Sequence, residues 1–249
     1  MISYLGLSHH GFKSPSNEDS YLLPNSNPDF DLQHKGLLFT LCDGMGGHNA
    51  GEVASHFCTE WLMNEYYLKS SDTSEKTDFN TIINTINKRL YYLACDNENY
   101  YRMGTTLVTL LLSPAKNLAC NVGDSRLYLF NGEQMEQITE DHSVVWELYQ
   151  NKVITKDEIL LHPCKNLVTN AVGLEPTTVV NCYDIKLPEK YIFLLCSDGL
   201  TDVAIDSEIE QVLKEAASLE NTAAMLYRLS QLNDSQDDVT LILVSNYLN

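Results

Sequence analysis

Four short apolar runs each end or begin at aspartates that lie in turn-forming stretches. A short apolar run bounded by turn residues predicts a buried strand. A carboxylate at the end of such a strand lies at the rim of a core, not on a solvated face. The aspartates are Asp43 after residues 36–42, Asp124 after 118–123, Asp198 after 191–197, and Asp237 with Asp238 before 239–244.

Several carboxylates brought together would repel one another unless positive charge lay between them. Hard divalent cations such as Mg²⁺ and Mn²⁺ prefer oxygen ligands and keep several waters, whereas the lack of clustered His or Cys disfavours zinc and copper. Gly44 has no side chain, so its carbonyl can turn toward a metal. Two such ions about 3.5–4 Å apart would activate a bridging water and clamp a phosphoryl group without a covalent nucleophile. One Asp-Gly pair alone is typical of a plain turn, so this prediction depends on the combination.

The charge balance disfavours some classes of partner. The 249 residues include 16 Lys and Arg against 34 Asp and Glu, a net charge of −18. Nucleic acids and anionic membrane surfaces attract clustered positive charge, so we expect neither as a partner. Most of the acidic excess is typical of a solvated surface that keeps a protein soluble.

The cysteines and the N-terminus bear on the compartment. There are seven cysteines, none in a Cys-x-x-Cys pair, and several lie inside apolar runs. This pattern favours a reducing compartment over a disulfide framework or a zinc site. The first residues lack the basic stretch and long apolar core of a signal peptide, and no apolar run has the length of a membrane span. We therefore expect a cytoplasmic protein.

Hydrophobic periodicity predicts one helix that carries Val53, Phe57 and Trp61 and a second across residues 82–93, with a polar loop at Ser70–Asp78 between them. Asn131-Gly132 predicts a hairpin turn, and Ser207 with Glu210 is spaced as a capping box. Strands are predicted at 105–112, 118–122, 126–130, 134–138, 178–185, 191–196 and 239–245, and later helices at 207–217 and 222–232. Strands in runs with paired helices between them predict an α+β fold with antiparallel sheets.

Eight motifs occur in the order and rough spacing of the protein phosphatase 2C family, and the chain most resembles its compact bacterial members from about residue 4 to 245. The motifs are Asn17-Glu18-Asp19, residues 43–48, residues 51–54, Gly104-Thr105-Thr106, residues 122–126, Asp141-His142-Ser143, residues 197–200 and residues 237–240. The resemblance implies a four-layer α-β-β-α sandwich of two antiparallel sheets flanked by helices. It implies a single catalytic domain over 1–249, with a flap at about 146–185 beside the active site.

The resemblance also implies the metal ligands. Asp43 would bridge two ions, and the Gly44 carbonyl would bind one of them. Asp198 and Asp237 would bind the other ion. Asp124 would hold a third, weaker ion together with Asp198. An alternative for Asp124 is a hairpin corner in which it only pairs with Arg126.

Glu18 and Asp19 would not bind the ions directly. They would contact metal-bound water or support the ligands from behind. The chain departs from the family at Ser14, where members usually carry an arginine that grips the substrate phosphate. Lys13 is the neighbouring candidate for that role, and the metals or another basic group are the alternatives. Asp238 stands where many members have asparagine, which should leave Asp237 as the ligand.

The proton donor is unassigned by the sequence. His48 and His142 are candidates, but a histidine bonded to nearby backbone or carboxylate is the more ordinary role. Met45 stands where some relatives have histidine, and water is a further alternative.

The resemblance predicts a metal-dependent Ser/Thr phosphoprotein phosphatase that uses two Mn²⁺ or Mg²⁺ ions, with a possible third, and attacks with a metal-bridging water or hydroxide. Its partners would be phosphoproteins made by a Ser/Thr kinase, and we expect a monomer. Two alternatives remain at this stage: a weakly active or inactive binding module with the same fold, and a phosphatase of a small phosphorylated metabolite.

Overall fold

The computed structural model describes residues 2–13, 15–46, 50–69 and 79–249. Among these residues, eleven strands form two sheets in which all neighbouring strands are antiparallel. The strands are β1 Ser3–His9, β2 Asp19–Leu22, β3 Leu37–Met45, β4 Gly104–Thr105, β5 Leu107–Leu112, β6 Asn117–Val122, β7 Arg126–Phe130, β8 Met135–Gln137, β9 Asn181–Asp184, β10 Ile192–Cys196 and β11 Val239–Ser245. The helices are α1 Leu32–Lys35, α2 Ala50–Asn64, α3 Phe79–Asp96, α4 Val144–Gln150, α5 Asp198–Thr201, α6 Asp206–Lys214 and α7 Leu219–Leu232.

The first sheet has the strand order β1-β11-β10-β7-β8, and the second has the order β2-β3-β5-β6-β9 with β4 beside β3. In β10, Phe193 and Leu195 face a cluster between the two sheets, whereas Ile192 and Leu194 face a cluster on the outer side. Alternate residues of one strand therefore bury opposite faces. Burial on both faces explains why these strands are continuous apolar runs in the sequence.

Helices cover the outer face of each sheet. Residues of α2 and α3, such as Leu62 and Ile86, are fully buried against the second sheet. Ile209 of α6 and Leu226 of α7 are equally buried against the first. With the cluster between the sheets, the molecule has four layers, which confirms the predicted α+β sandwich.

Several element boundaries differ from the sequence predictions. The predicted strand 105–112 is interrupted at Thr106, because the Asp43 N–H donates to the Thr106 side chain at Oγ1, 2.9 Å away, instead of to the Thr106 carbonyl. The prediction of a capping box at Ser207 and Glu210 is wrong. Helix α6 begins at Asp206 instead, and Glu208 Oε2 accepts from the Ile205 N–H at 3.1 Å. The predicted hairpin is present between β7 and β8.

One cysteine pair contradicts the expectation of no disulfides. Cys120 and Cys182 stand directly opposite each other in β6 and β9 and form a disulfide. The pairing was hidden because the two residues are 62 positions apart in sequence. The other five cysteines are free, and Cys42, Cys58 and Cys196 behave as buried apolar residues.

The flap at 146–185 contains most of α4, a short 3-10 turn at Lys156–Glu158, further turns and β9. The loop predicted at Ser70–Asp78 lies outside the described residues. In the described part of the chain, no helix combines the length and the apolar character needed to cross a membrane.

Candidate active site

The four predicted strand ends meet in one place. Strands β3 and β6 both pair antiparallel with β5, so the residues after them lie at the same end of the second sheet. The end of β10 and the start of β11 meet in the same way in the first sheet. A cavity of about 530 Å³ lies between these ends. Its lining includes Lys13, Glu18, Asp43, Gly44, Asp124, Asp198, Asp237 and Asp238.

Asp43 and Gly44 are held by backbone contacts at the end of β3. The Asp43 N–H donates to Thr106 Oγ1 at 2.9 Å, and the Asp43 carbonyl accepts from Thr105 Oγ1 at 2.8 Å. The Gly44 N–H donates to the Glu18 carbonyl at 3.0 Å. A Cβ at Gly44 would collide with the backbone of Gly51, so this approach of β3 to α2 requires glycine.

Asp237 and Asp238 have different surroundings although they are adjacent. Both oxygens of Asp238 accept backbone N–H groups, from Gly11 at 2.8 Å and Glu18 at 2.7 Å. Asp238 therefore ties down the β1–β2 loop. Asp237 Oδ2 lies 2.5 Å from the ammonium of Lys13, at the cavity.

Asp124 follows Gly123, whose φ of +100° lies in the left-handed region. Its carboxylate is buried, with only 8% of the residue exposed. Arg126 bonds Asp141 through two nitrogens at 2.7–3.1 Å, so the alternative in which Asp124 merely pairs with Arg126 is not supported.

Glu18 lines the cavity, whereas Asp19 lies behind it and accepts from Ser197 Oγ at 2.8 Å. Ser14, Gly47 and His48 lie outside the described residues. His142 is not one of the described residues that line the cavity. Its ring is hydrogen-bonded to a backbone N–H group and to an amide side chain instead.

Burial and mutual repulsion disfavour the ionised form of several carboxylates of the site. Burial raises the pKa of Asp198 to about 7, and the charges of Asp202 and Asp237 add to this shift. Burial also raises the pKa of Asp43 and of Asp124 well above the ordinary range, with the charge of Asp198 as the next cause in each. These shifts share one physical cause, which is clustered carboxylates away from water.

Asp19 shows the same effect behind the cavity. Burial raises its pKa to about 8, although hydrogen bonds from Thr240 and Ser197 oppose the shift. Burial acts to lower the pKa of Lys13, but its hydrogen bond to Asp237 and the neighbouring carboxylates outweigh burial and raise it. Lys13 is therefore protonated at neutral pH.

The donor set fits a hard divalent cation that keeps part of its water shell. In the described residues, no three His, Cys, Asp or Glu side chains converge as a group that could hold an ion by themselves. An ion here would therefore be bound by few carboxylates, the Gly44 carbonyl and water, which is how Mg²⁺ is usually held. Asp198 Oδ1 is buried with no hydrogen-bond partner among the described groups, and a cation would satisfy it.

Sequence reasoning missed several residues that shape the site. Thr106 bonds the Asp43 backbone and lies 2.7 Å from Ser125 Oγ, so it joins two of the strand ends. Asp202 lies one turn after Asp198, and its carbonyl accepts from Lys165 of the flap at 2.7 Å. The i, i+4 spacing of Asp198 and Asp202 was an available signal.

A four-layer sandwich whose strand-end carboxylates line one cleft defines the class of metal-dependent phosphatases. The family model described as protein phosphatase 2C matches residues 8–237. The chain belongs to the protein phosphatase 2C family, which is metal-dependent. The predicted fold, family and enzyme class, a serine/threonine phosphatase, are thereby confirmed.

Curated relatives and solved structures agree with this assignment. The chain is 32% identical over 223 residues to the serine/threonine phosphatase stp of Listeria innocua, with 88% of each chain covered. It is 32% identical over 210 residues to the protein phosphatase PhpP of Streptococcus pneumoniae, covering 84% of this chain and 85% of PhpP. The crystal structure of the serine/threonine phosphatase Stp1 from Staphylococcus aureus superposes with a TM-score of 0.87 at 35% identity, covering 98% of this chain and 95% of Stp1.

Proposed function

We propose that this cavity is the active site of a phosphatase acting on phosphoserine and phosphothreonine in proteins. The observation that carries the proposal is that Asp43, Asp124, Asp198 and Asp237, from the ends of four strands, line one cavity. The relatives from Listeria and Staphylococcus are named serine/threonine phosphatases, which supports the choice of substrate.

Bound Mn²⁺ or Mg²⁺, two ions and a third more weakly held, supplies Lewis-acid activation of water and neutralises the phosphoryl charge. Asp43 would be the ligand shared by two ions, and the Gly44 carbonyl would bind one of them. Asp198 and Asp237 would bind the other, and Asp124 with Asp198 would bind the third. Glu18 and Asp19 would orient these groups from behind or through water.

Lys13 is the candidate for the phosphate-binding role that Ser14 does not fill. Its ammonium is at the cavity and lies 2.5 Å from Asp237 Oδ2, so it can meet an anionic substrate there. The competing role is to neutralise Asp237 while no cation is bound.

The two roles of Lys13 predict different kinetics. If Lys13 binds phosphate, Lys13→Ala raises KM for a phosphothreonine peptide, because a charge-assisted hydrogen bond is lost. If it only neutralises Asp237, Lys13→Ala leaves KM unchanged and lowers the Mn²⁺ concentration for half-maximal activity. Ser14→Arg is the matched variant that adds a cationic group beside Lys13. A lower KM in that variant supports phosphate binding through this segment.

Turnover of a phosphothreonine peptide with Mn²⁺ tests the activity, with EDTA and Asp198→Asn as paired controls. Full activity after thorough removal of metal would contradict the proposal. No turnover at any Mn²⁺ concentration favours a binding module instead. Faster turnover of sugar phosphates than of the peptide favours a small phosphorylated metabolite as substrate.

We also propose a cytoplasmic monomer that opposes a Ser/Thr kinase. The five free cysteines support a reducing compartment. The Cys120–Cys182 disulfide argues the other way, and alkylation of the protein in intact cells decides between them. Sedimentation of the purified chain tests the monomer.

A further inference from the structure

His142 connects the two walls of the cavity. Its backbone N–H donates to the Gly123 carbonyl at 2.9 Å, and its own carbonyl accepts from the Thr169 N–H at 2.8 Å. Gly123 directly precedes Asp124 on one wall, and Thr169 directly follows Val168 on the flap wall.

The ring of His142 joins the same two segments through a single atom. Nδ1 lies 3.2 Å from the Gly123 nitrogen and 2.8 Å from Asn170 Nδ2. The Gly123 group is an N–H donor, so Nδ1 must be unprotonated and the ring proton must be on Nε2. Burial lowers the pKa of His142, which favours this neutral ring at neutral pH.

The Gly123 carbonyl also accepts from Asn121 Nδ2 at 3.2 Å, but the Gly123 N–H is bonded by His142, and glycine has no side chain to limit its backbone rotation. Its φ of +100° is open to glycine, and a Cβ there would lie 2.7 Å from the Thr106 methyl group. His142 bonds both the N–H and the carbonyl of Gly123, and so fixes the direction in which the chain enters Asp124.

On the flap side, both polar atoms of the Asn170 side chain make hydrogen bonds. Its Oδ1 accepts from Thr178 Oγ1 at 2.8 Å, and its Nδ2 donates to the Val179 carbonyl at 2.8 Å as well as to His142. With the amide oriented in this way, Asn170 presents a donor to the ring. The flap segment is therefore closed on itself and attached to the core at His142.

We propose that His142 is a positioning residue, whose unprotonated Nδ1 holds the Asp124 turn and flap segment 168–170 at a fixed separation across the cavity. The inference rests on the proposed function, because it takes this cavity as the active site. The role differs from that of a proton donor, since the ring faces Gly123 and Asn170.

Two amide substitutions at His142 distinguish the role of Nδ1 as a hydrogen-bond acceptor from the role of the side chain in filling space. In His142→Asn, Oδ1 can occupy the place of Nδ1, whereas the amide of His142→Gln reaches only the place of Nε2. We expect His142→Asn to keep kcat/KM for a phosphothreonine peptide within about threefold, and His142→Gln to lower it about 10-fold or more, because a buried donor loses its acceptor. His56→Gln, on the exposed face of α2, is the control.

Hydrogen exchange at the Gly123 amide gives a readout that needs no activity. We expect exchange about 10-fold faster in His142→Gln than in wild type, and near wild type in His142→Asn. Equal exchange or equal activity in the two variants overturns the proposal. An inactive wild type would instead refute the proposed function, while the exchange comparison would still test the attachment.

A double-mutant cycle with Asn170→Ala tests the flap half of the proposal. The losses in kcat/KM from His142→Gln and Asn170→Ala should be less than additive, because both remove one shared link. Fully additive losses would show that the flap and the Asp124 turn are held independently, and would overturn it.

Discussion

The strand-end carboxylates and the flap border the same cavity but are held in different ways. Asp43 lies in β3, directly opposite Asp19 in β2, and its position follows from the register of the sheet. Residues 146–180 of the flap meet the core through two isolated bridges, Ser143 with Val168 and Thr105 with Val172, and through side-chain contacts such as Lys156 with Asp206. The last part of the flap, β9, pairs with β6 and belongs to the second sheet.

Because of this difference, the strand ends should unfold only together with the whole domain, whereas the flap should open locally. Moving a strand end would break a ladder of backbone hydrogen bonds together with the packing on both faces of the sheet. Releasing residues 146–180 uncovers Val172 and otherwise breaks separate polar contacts, each worth about 1 kcal/mol. The carboxylates should therefore share the global stability of the domain, whereas the flap can open at a lower free energy.

The largest expected effect follows removal of charge at a strand end. Asp43→Asn should lower kcat by about 10²–10³-fold, the loss typical of removing one electrostatic group from an active site. Peptide turnover at saturating Mn²⁺ measures it. Asp184→Asn, an exposed change in β9, should leave turnover at the wild-type level. Wild-type turnover by Asp43→Asn would remove this residue from the proposed ligands.

A second test lies where the two regions join. Asp141, of which 3% of the side chain is exposed, bonds Arg126 of β7 just before the flap helix. Asp141→Asn would leave a buried guanidinium without its counter-charge, at a cost of about 3–5 kcal/mol in the free energy of unfolding. Urea denaturation measures this, with Glu210→Gln on α6, which removes a partly exposed ion pair with Lys214, as the control. If the free energy of unfolding fell by less than about 1 kcal/mol, the Asp141 contact would be as weak as the separate polar contacts of the flap, and would not belong to the cooperative core.

The carboxylate cluster should also give metal-free protein an unusual pH dependence. The pKa of Asp198 is about 7 and that of Asp19 about 8, both above the ordinary value of 3.8. The folded state then binds more protons than the unfolded state between these limits, so stability falls as pH rises. We expect a loss of about 4 kcal/mol between pH 6 and pH 8 in EDTA, of which Asp19 contributes the larger share.

Two controls sharpen this pH test. Saturating Mn²⁺ should flatten the dependence, because a bound cation keeps the carboxylates ionised. Asp198→Asn in EDTA should reduce the slope by removing one titrating group. Stability that rises with pH in metal-free protein would contradict the clustered-charge account.

The smallest effect is expected at a flap contact. Lys156→Met removes the 2.6 Å ion pair with Asp206 and should cost no more than about 1 kcal/mol, because the lysine is half exposed. Hydrogen exchange should rise in the flap and stay unchanged in β10. A matched change, Lys116→Met beside Asp184, should alter neither. Faster exchange in β10 would show that the flap and sheets unfold together.

The same difference governs what could be predicted from the sequence. Asp43, Asp124, Asp198 and Asp237 were found because each adjoins an apolar run, and a buried strand leaves that local signal. The order of strands and helix pairs predicted an α+β fold with antiparallel sheets, and the four-layer arrangement was implied by the family resemblance. The roles of these residues toward metal stay predictions.

Contacts between distant segments left no comparable signal. Arg126 could pair with Asp124 or Asp141 on spacing alone, and only the fold selects Asp141. The Cys120–Cys182 pairing depends on the register of β6 and β9, and the two cysteines are 62 positions apart in sequence. Helix boundaries erred for a local reason: α7 begins at Leu219 because Ser218 caps it, a signal that was present but not used.

The Cys120–Cys182 bond also changes the connectivity of the chain. It closes a covalent ring that contains Asp124, His142 and residues 146–182 of the flap, with both closing residues in neighbouring strands of one sheet. A protease that cuts once inside this ring leaves a single covalently joined molecule until the disulfide is reduced. A cut outside the ring divides the chain into two covalently separate pieces at once. A cut in the flap inside the ring leaves every part of the chain covalently attached.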